Sequence, residues 1–217
     1  MAAVAAAMYA TAPAQAATRC EPTAQPGVER CVTGLPQATI DAMAQTQRAS
    51  QWCWAASISM VLRNYGVIVP QEQIVREHYG AAADLPVPGD IITGLLNRTW
   101  RDRTGRAVTM TADVQPAAQA HLSAPEVLDD LDDERPLVLV LPRHAVVLVQ
   151  LEYERTVNEG GSSGPTRLLG GIVLDPRAQA PRALRPTAAI VHMTRVLTEP
   201  QTPVAALGSA LADVARR

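Results

Sequence analysis

Cys53 stands in the segment Gln47-Arg-Ala-Ser-Gln51-Trp52-Cys53-Trp54-Ala55-Ala56, directly ahead of the strongest helical pattern in the chain. A helix N-terminus offers unsatisfied N–H groups and roughly half a positive charge, and both stabilise a thiolate. Many cysteines so placed only fill space in a core, so the reading depends on finding a base. Of the four histidines, His78 falls on a surface-type helix, His121 in a loop, and His192 in an alternating strand where a packing role suffices. His144 opens His144-Ala-Val-Val-Leu-Val, at the exposed entry to the strongest strand pattern. Asp175, in Gly171-Ile-Val-Leu-Asp175-Pro176, ends the strand that follows. A hairpin returns the end of its second strand beside the start of its first, so Asp175 is expected next to His144, where a carboxylate orients an imidazole. Alone, Asp175 would be a turn residue before proline. Together the three residues spell acyl chemistry through an activated thiol.

The elements that must position these groups follow from periodicity. Apolar residues recur at helical spacing from Cys53 through Leu62, with Gly66 as the stop, and most faces are apolar, as in a buried central helix. Further helices are expected over Pro70–Tyr79, closed by Gly80, over Asp90–Asn97, and after the capping-box spelling Ser123-Ala-Pro-Glu126. The character then changes to β-rich runs at Leu137–Leu141, Ala145–Tyr153, Leu168–Leu174 and Ala189–Val196, with a glycine- and serine-rich turn between the second and third. Helices first and hairpin-connected strands afterwards predict an α+β domain with an antiparallel sheet. Residues 18–38, with three prolines and two glycines, show no sustained period and read as an extended or irregular arm. The end of the chain, 199–217, reads as an amphipathic helical tail.

Composition narrows the function classes. Of 217 residues, 47% are hydrophobic, enough for one core and too many for wholesale disorder. A formal net charge of −2 carries no nucleic-acid or anionic-membrane footprint. The longest apolar stretch, 137–149, is too short and too interrupted to span a bilayer, which takes roughly 20 apolar residues. Residues 1–17 are alanine-dominated and end in Ala14-Gln15-Ala16, a cleavage-site spelling, although no basic residue precedes Arg19. We expect an export signal there, to the periplasm or beyond the cell, with a plain alanine-rich tail as the alternative. Cys20 and Cys31 then fall in an oxidising compartment, where they can close a short disulfide loop and leave Cys53 free. No metal or cofactor is expected. The acidic run Asp129-Asp130…Asp132-Asp133-Glu134 lacks the central glycine of a calcium loop and reads as a solvated helix face, and no zinc-ligand spacing occurs.

Gln47 followed by Cys53-Trp-Ala-Ala, then His144-Ala-Val-Val on a strand, then Asp175-Pro closing the next strand resembles the papain-like cysteine peptidases. The likeness is nearest to two bacterial branches, the secreted effector proteases of plant pathogens and the double-glycine leader peptidases, and runs from about Ala38 to Thr198. It implies a papain-like catalytic domain over 39–198, with the nucleophile at the N-terminus of a central helix and the base on the sheet. In that case Cys53 is the nucleophile, His144 the general base and acid, Asp175 the orienting group, and Gln47 the oxyanion-hole amide. Gln51 and Gln45 are lesser candidates for the last role. Two departures stand out: Arg143 replaces the usual small residue before the histidine, and the hairpin between His144 and Asp175 is long. The implied activity is hydrolysis of peptide bonds in a protein or peptide substrate. Deamidation or acyl transfer would use the same site, and a papain-fold binding protein without catalysis is the alternative from another class.

Overall fold

The computed structural model of the chain describes residues 18–116, 121–158 and 163–199. The expected export signal, the centre of the glycine-rich turn and the C-terminal helical tail beyond Glu199 lie outside these residues. Among the described residues there are five helices and ten strands. In chain order they are β1 (Arg19–Pro22), β2 (Val28–Gly34), α1 (Gln37–Met43), α2 (Cys53–Asn64), α3 (Gln71–Tyr79), α4 (Gly89–Leu96), β3 (Thr99–Arg101), β4 (Ala107–Thr109), β5 (Ala112–Pro116), α5 (Pro125–Asp132), β6 (Leu137–Leu141), β7 (His144–Val157), β8 (Ser163–Leu174), β9 (Arg182–Leu184) and β10 (His192–Val196). The fold is α+β, and every strand pairing described is antiparallel.

The long strand β7 organises the sheet. Its first residues pair with β6, from Leu141↔His144 to Leu137↔Leu148. Its later residues pair with β2, from Gly34↔Gln150 to Val28↔Thr156, while β8 runs beside it from Val147↔Leu174 outward. The segment read as an extended or irregular arm is extended and forms the hairpin β1–β2 added to the sheet, with Cys20 and Cys31 directly paired and disulfide-bonded. Sequence period failed there because β1 is only four residues long and largely exposed, so no alternation develops. Where β2 meets β7 the chains approach closely: at Gly34, φ is +141° and a Cβ would sit 2.2 Å from the Val149 carbonyl oxygen. Only glycine fits such a crossing.

α2 lies against β7 and is buried at every residue from Trp54 through Leu62. Ile58, Met60, Val61 and Leu62 share one apolar core with Val146, Val147 and Leu148 of β7. Each such side chain is worth roughly 1.5–3 kcal/mol when fully buried, which fixes the helix axially against the sheet. α5 begins one residue after the cap that its sequence suggests. Ala124 is the N-cap with no side-chain hydrogen bond, and Pro125 starts the helix, so the Ser123–Glu126 capping box does not form.

The acidic run on α5 corrects a second expectation. Asp130 is fully buried rather than solvated, and accepts from Arg135 (3.0 Å) and from the Nε of Arg195 on β10. A helix period places one residue of any such run inward, and two arginines arriving from elsewhere in the chain make that position tolerable. Removing one partner of a buried charge cluster leaves the others uncompensated, at about 3–5 kcal/mol. Asp130→Ala is accordingly expected to lower unfolding free energy in urea by about that amount, whereas exposed Asp129→Ala and Asp132→Ala shift it by less than about 0.5 kcal/mol.

Candidate active site

The first residue of α2, the first residue of β7 and the residue after β8 are Cys53, His144 and Asp175. The β7–β8 register brings the last two together: with Val147 opposite Leu174, the strand end at Asp175 lies beside the strand start at His144. His144 Nε2 and Asp175 Oδ1 are 2.6 Å apart, with side chains only 10% and 13% exposed. Asp175 is itself held by the backbone N–H of Arg177 at 2.8 Å and by the Arg182 guanidinium at 3.2 Å. A neutral His144 that donates from Nε2 to a carboxylate keeps its lone pair on Nδ1. Nδ1 is buried and closes no hydrogen bond of full geometry, and the Cys53 thiol is the acidic group that acts on the ring from α2.

Electrostatics favour the charged pair. Burial pushes the Cys53 thiol up, but the His144 side chain and the backbone N–H groups of Ala145 and Trp54 pull it further the other way, to a net value below that of a free thiol. Burial works against a charged His144, and the thiol and Asp175 outweigh it and raise the imidazole. Asp175 is held below the usual carboxylate range: burial opposes this, and the Arg177 N–H, His144 and Arg182 overcome it.

The approach to Cys53 is fixed from outside the helix. α2 has no side-chain cap at Trp52, so the Cys53 N–H meets no capping side chain, while the Trp54 N–H is directed at the Cys53 sulfur. Asp84, from the loop after α3, accepts from the Gln51 backbone N–H and the Ser50 hydroxyl, both at 2.8 Å. The indoles of Trp52 and Trp54 donate to the carbonyls of Ala83 and Leu85 in the same loop. Buried Gln71 donates to Thr46 O and accepts from Arg48 N–H, and Gln47 N–H donates to Pro176 O at 2.8 Å, tying this loop to the turn that carries Asp175. None of these anchors carries a local sequence signature. Asp84 and Gln71 are polar residues whose partners lie far away in the chain, and only the fold reveals them.

Gln47 stands apart from the other three candidates. Its Nε2 donates to the carbonyls of Ala49 and Ser50, both at 2.8 Å, which leaves no free N–H directed at the cleft. Gln45 is engaged with Gln71. Gln51 lines the cleft beside Cys53. His192 is engaged with α4, its Nε2 3.0 Å from the Thr93 hydroxyl. Its ring packs so closely on Gly89 that a Cβ there would lie 2.5 Å from it. His78 edge-stacks on Trp54, centroids 6.0 Å apart.

Cys53 and His144 open on a cleft of about 600 Å³. Val87, Ile92, Val140, Leu141 and Val191 supply an apolar wall, Gly89 its floor, and Arg143 its charge. A second, shallower depression of about 680 Å³, around Arg48, Glu72, Arg76 and Arg103, holds no nucleophile. Among the described residues the one cluster with metal-ligand spacing is Cys20, Glu29 and Cys31, whose sulfurs are already joined to each other. No protein-family model matches the chain, and no curated protein of known function is similar to it.

The paired shifts have a direct consequence for thiol reactivity. Because Cys53 is lowered, its thiolate persists below the range of a free thiol, near about 8.5. Alkylation by iodoacetamide against pH is expected to show a midpoint below that of a model thiol. In His144→Ala the desolvation of the sulfur remains while its main counter-influence is gone, so the midpoint moves upward. An unchanged profile in that variant would show that the two side chains do not share a proton.

Proposed function

We propose that the chain is a papain-like cysteine hydrolase that cleaves peptide bonds through an acyl-thioester on Cys53. The observation that carries this reading is the buried His144–Asp175 hydrogen bond at the mouth of a cleft into which the helix N-terminal Cys53 opens. A papain-like arrangement accounts for the placement of the nucleophile on α2 and of the base on the adjoining sheet. Of the assignments that the sequence resemblance implies, those of Cys53, His144 and Asp175 fit this geometry directly.

In the mechanism, Cys53 and His144 rest as thiolate and imidazolium, with Asp175 fixing the ring and favouring its charge. The thiolate attacks the scissile carbonyl carbon, forming a C–S bond as the carbonyl electron pair moves to oxygen. The free N–H of Cys53 at the start of α2 meets that oxyanion, and loss of such a donor typically costs about 10²–10³ in rate. Gln47 joins it only by exchanging one of its two carbonyl partners for the oxyanion. Collapse breaks the C–N bond, and His144 gives its proton to the leaving amine. Water, deprotonated by the same imidazole, then attacks the thioester and releases the acid, restoring the thiolate.

Deamidation and acyl transfer share the thioester and differ in the leaving group or the acceptor. The apolar wall favours a peptide over a small amide, since it offers area for neighbouring side chains. We further propose that the protein works after export; the Cys20–Cys31 disulfide supports this. No helix among the described residues is long and apolar enough to cross a membrane.

Digestion of a peptide library followed by mass spectrometry tests the reading. Cleaved fragments are expected with the wild type and none with Cys53→Ala. Asp175→Asn is expected to lower kcat by about 10²-fold or more with a smaller change in KM, because it acts on proton transfer rather than on binding. Products heavier by about one dalton with the chain intact would point to deamidation instead.

A further inference from the structure

Among the described residues Arg143 is the only permanently charged side chain lining the cleft, and it precedes His144 directly. It occupies the second position of the two-residue loop Pro142–Arg143 that joins β6 to β7, with Leu141 and His144 paired across it. At that position φ is +62°, the left-handed region. A turn of this kind is ordinarily closed by glycine, because an L side chain there is strained. Strain kept next to a reactive histidine marks a position where the side chain contributes something that glycine would not.

Among the described residues the Arg143 guanidinium has no hydrogen bond or ion pair, although it is exposed at the cleft. None of the acids on neighbouring segments reaches it. Asp84 accepts from Ser50 and Gln51, and Asp175 from His144, Arg177 and Arg182, while exposed Asp90 at the start of α4 forms no ion pair with Arg143. An unpartnered planar donor beside apolar walls is suited to one chemistry above others, the bidentate binding of a carboxylate. Val140, Leu141 and Val191, which line the same cleft, offer it no competing side-chain acceptor.

We propose that Arg143 makes this cleft selective for acidic peptides, binding a substrate carboxylate within reach of the scissile carbonyl while an apolar side chain rests on the Val87–Ile92–Val191 wall. The inference rests on the acyl-thioester reading of Cys53. The carboxylate is either an Asp or Glu side chain or the terminal carboxylate of the chain being cut. Arg143 is a specificity residue here and takes no part in proton transfer.

Peptidyl vinyl sulfones, which capture a reactive cysteine without requiring turnover, test this directly through the rate of Cys53 labelling. One probe pair carries Asp against Asn beside the warhead, and a second pair carries a free carboxylate against a carboxamide at its end. A charge-assisted hydrogen bond should make one acidic probe faster than its amide by about tenfold or more, and the pair that responds identifies the source of the carboxylate. In Arg143→Gly, which suits the left-handed backbone, the ratio should fall towards unity, and in Arg143→Glu it should invert. Added salt should reduce the wild-type ratio and leave that of Arg143→Gly unchanged. Equal wild-type rates for acid and amide in both pairs would overturn the proposal and leave the hydrolase reading standing. Failure of every peptide probe on a Cys53 that iodoacetamide labels readily would overturn both.

Discussion

A helix without a capping side chain at its N-terminus has to be held in place by something other than its own cap. α2 is in that position, since Trp52 contributes no capping side chain. The loop leading into it is fastened instead by Asp84, by the Ala83 and Leu85 carbonyls, by Gln71 and by Pro176. The helix itself is pressed on β7 by its buried apolar side chains. The site depends on this arrangement. The thiol sits at the positive end of a rigid element, where the backbone N–H groups of Trp54 and Ala145 act on its sulfur and no side chain caps the Cys53 N–H.

The second half of the site is set by strand register. β7 starts at the β6–β7 turn and extends far enough to pair with β6, β2 and β8. Its first residue is therefore at the sheet's cleft end, and β8 must finish opposite it. One slip of register would turn every side chain of the strand to the other face, carrying His144 away from Cys53. The added β1–β2 hairpin and the close crossing at Gly34 lie on the same strand further out, and they help to hold its register.

Much of this was legible in the sequence because it is local. The Cys53 helix, the Pro70-to-Gly80 helix and the strands at 137–141 and 145–153 have strong periods and clear stop signals, and the Asp175-to-His144 approach followed from hairpin geometry alone. What escaped was non-local. The β1–β2 hairpin has too little alternation to announce itself, Asp130 is buried only because Arg135 and Arg195 converge on it, and nothing near Asp84 or Gln71 tells that they brace the Cys53 loop. The six-residue spacing of Gln47 pointed to an oxyanion amide, whereas its N–H groups are spent on the carbonyls of Ala49 and Ser50. Spacing fixes where a side chain can reach, and local carbonyls compete for where it goes.

The proposed acyl chemistry requires a His144 held charged between Asp175 and Cys53. The most direct measurement is a pH titration of the histidine ring nitrogens by heteronuclear NMR, in the wild type and in Cys53→Ala. His144 is expected to stay protonated to a higher pH than His192, whose burial pulls it the other way, and removing the thiol is expected to lower the His144 midpoint. A His144 that titrates at or below His192, or one indifferent to the loss of Cys53, would contradict it.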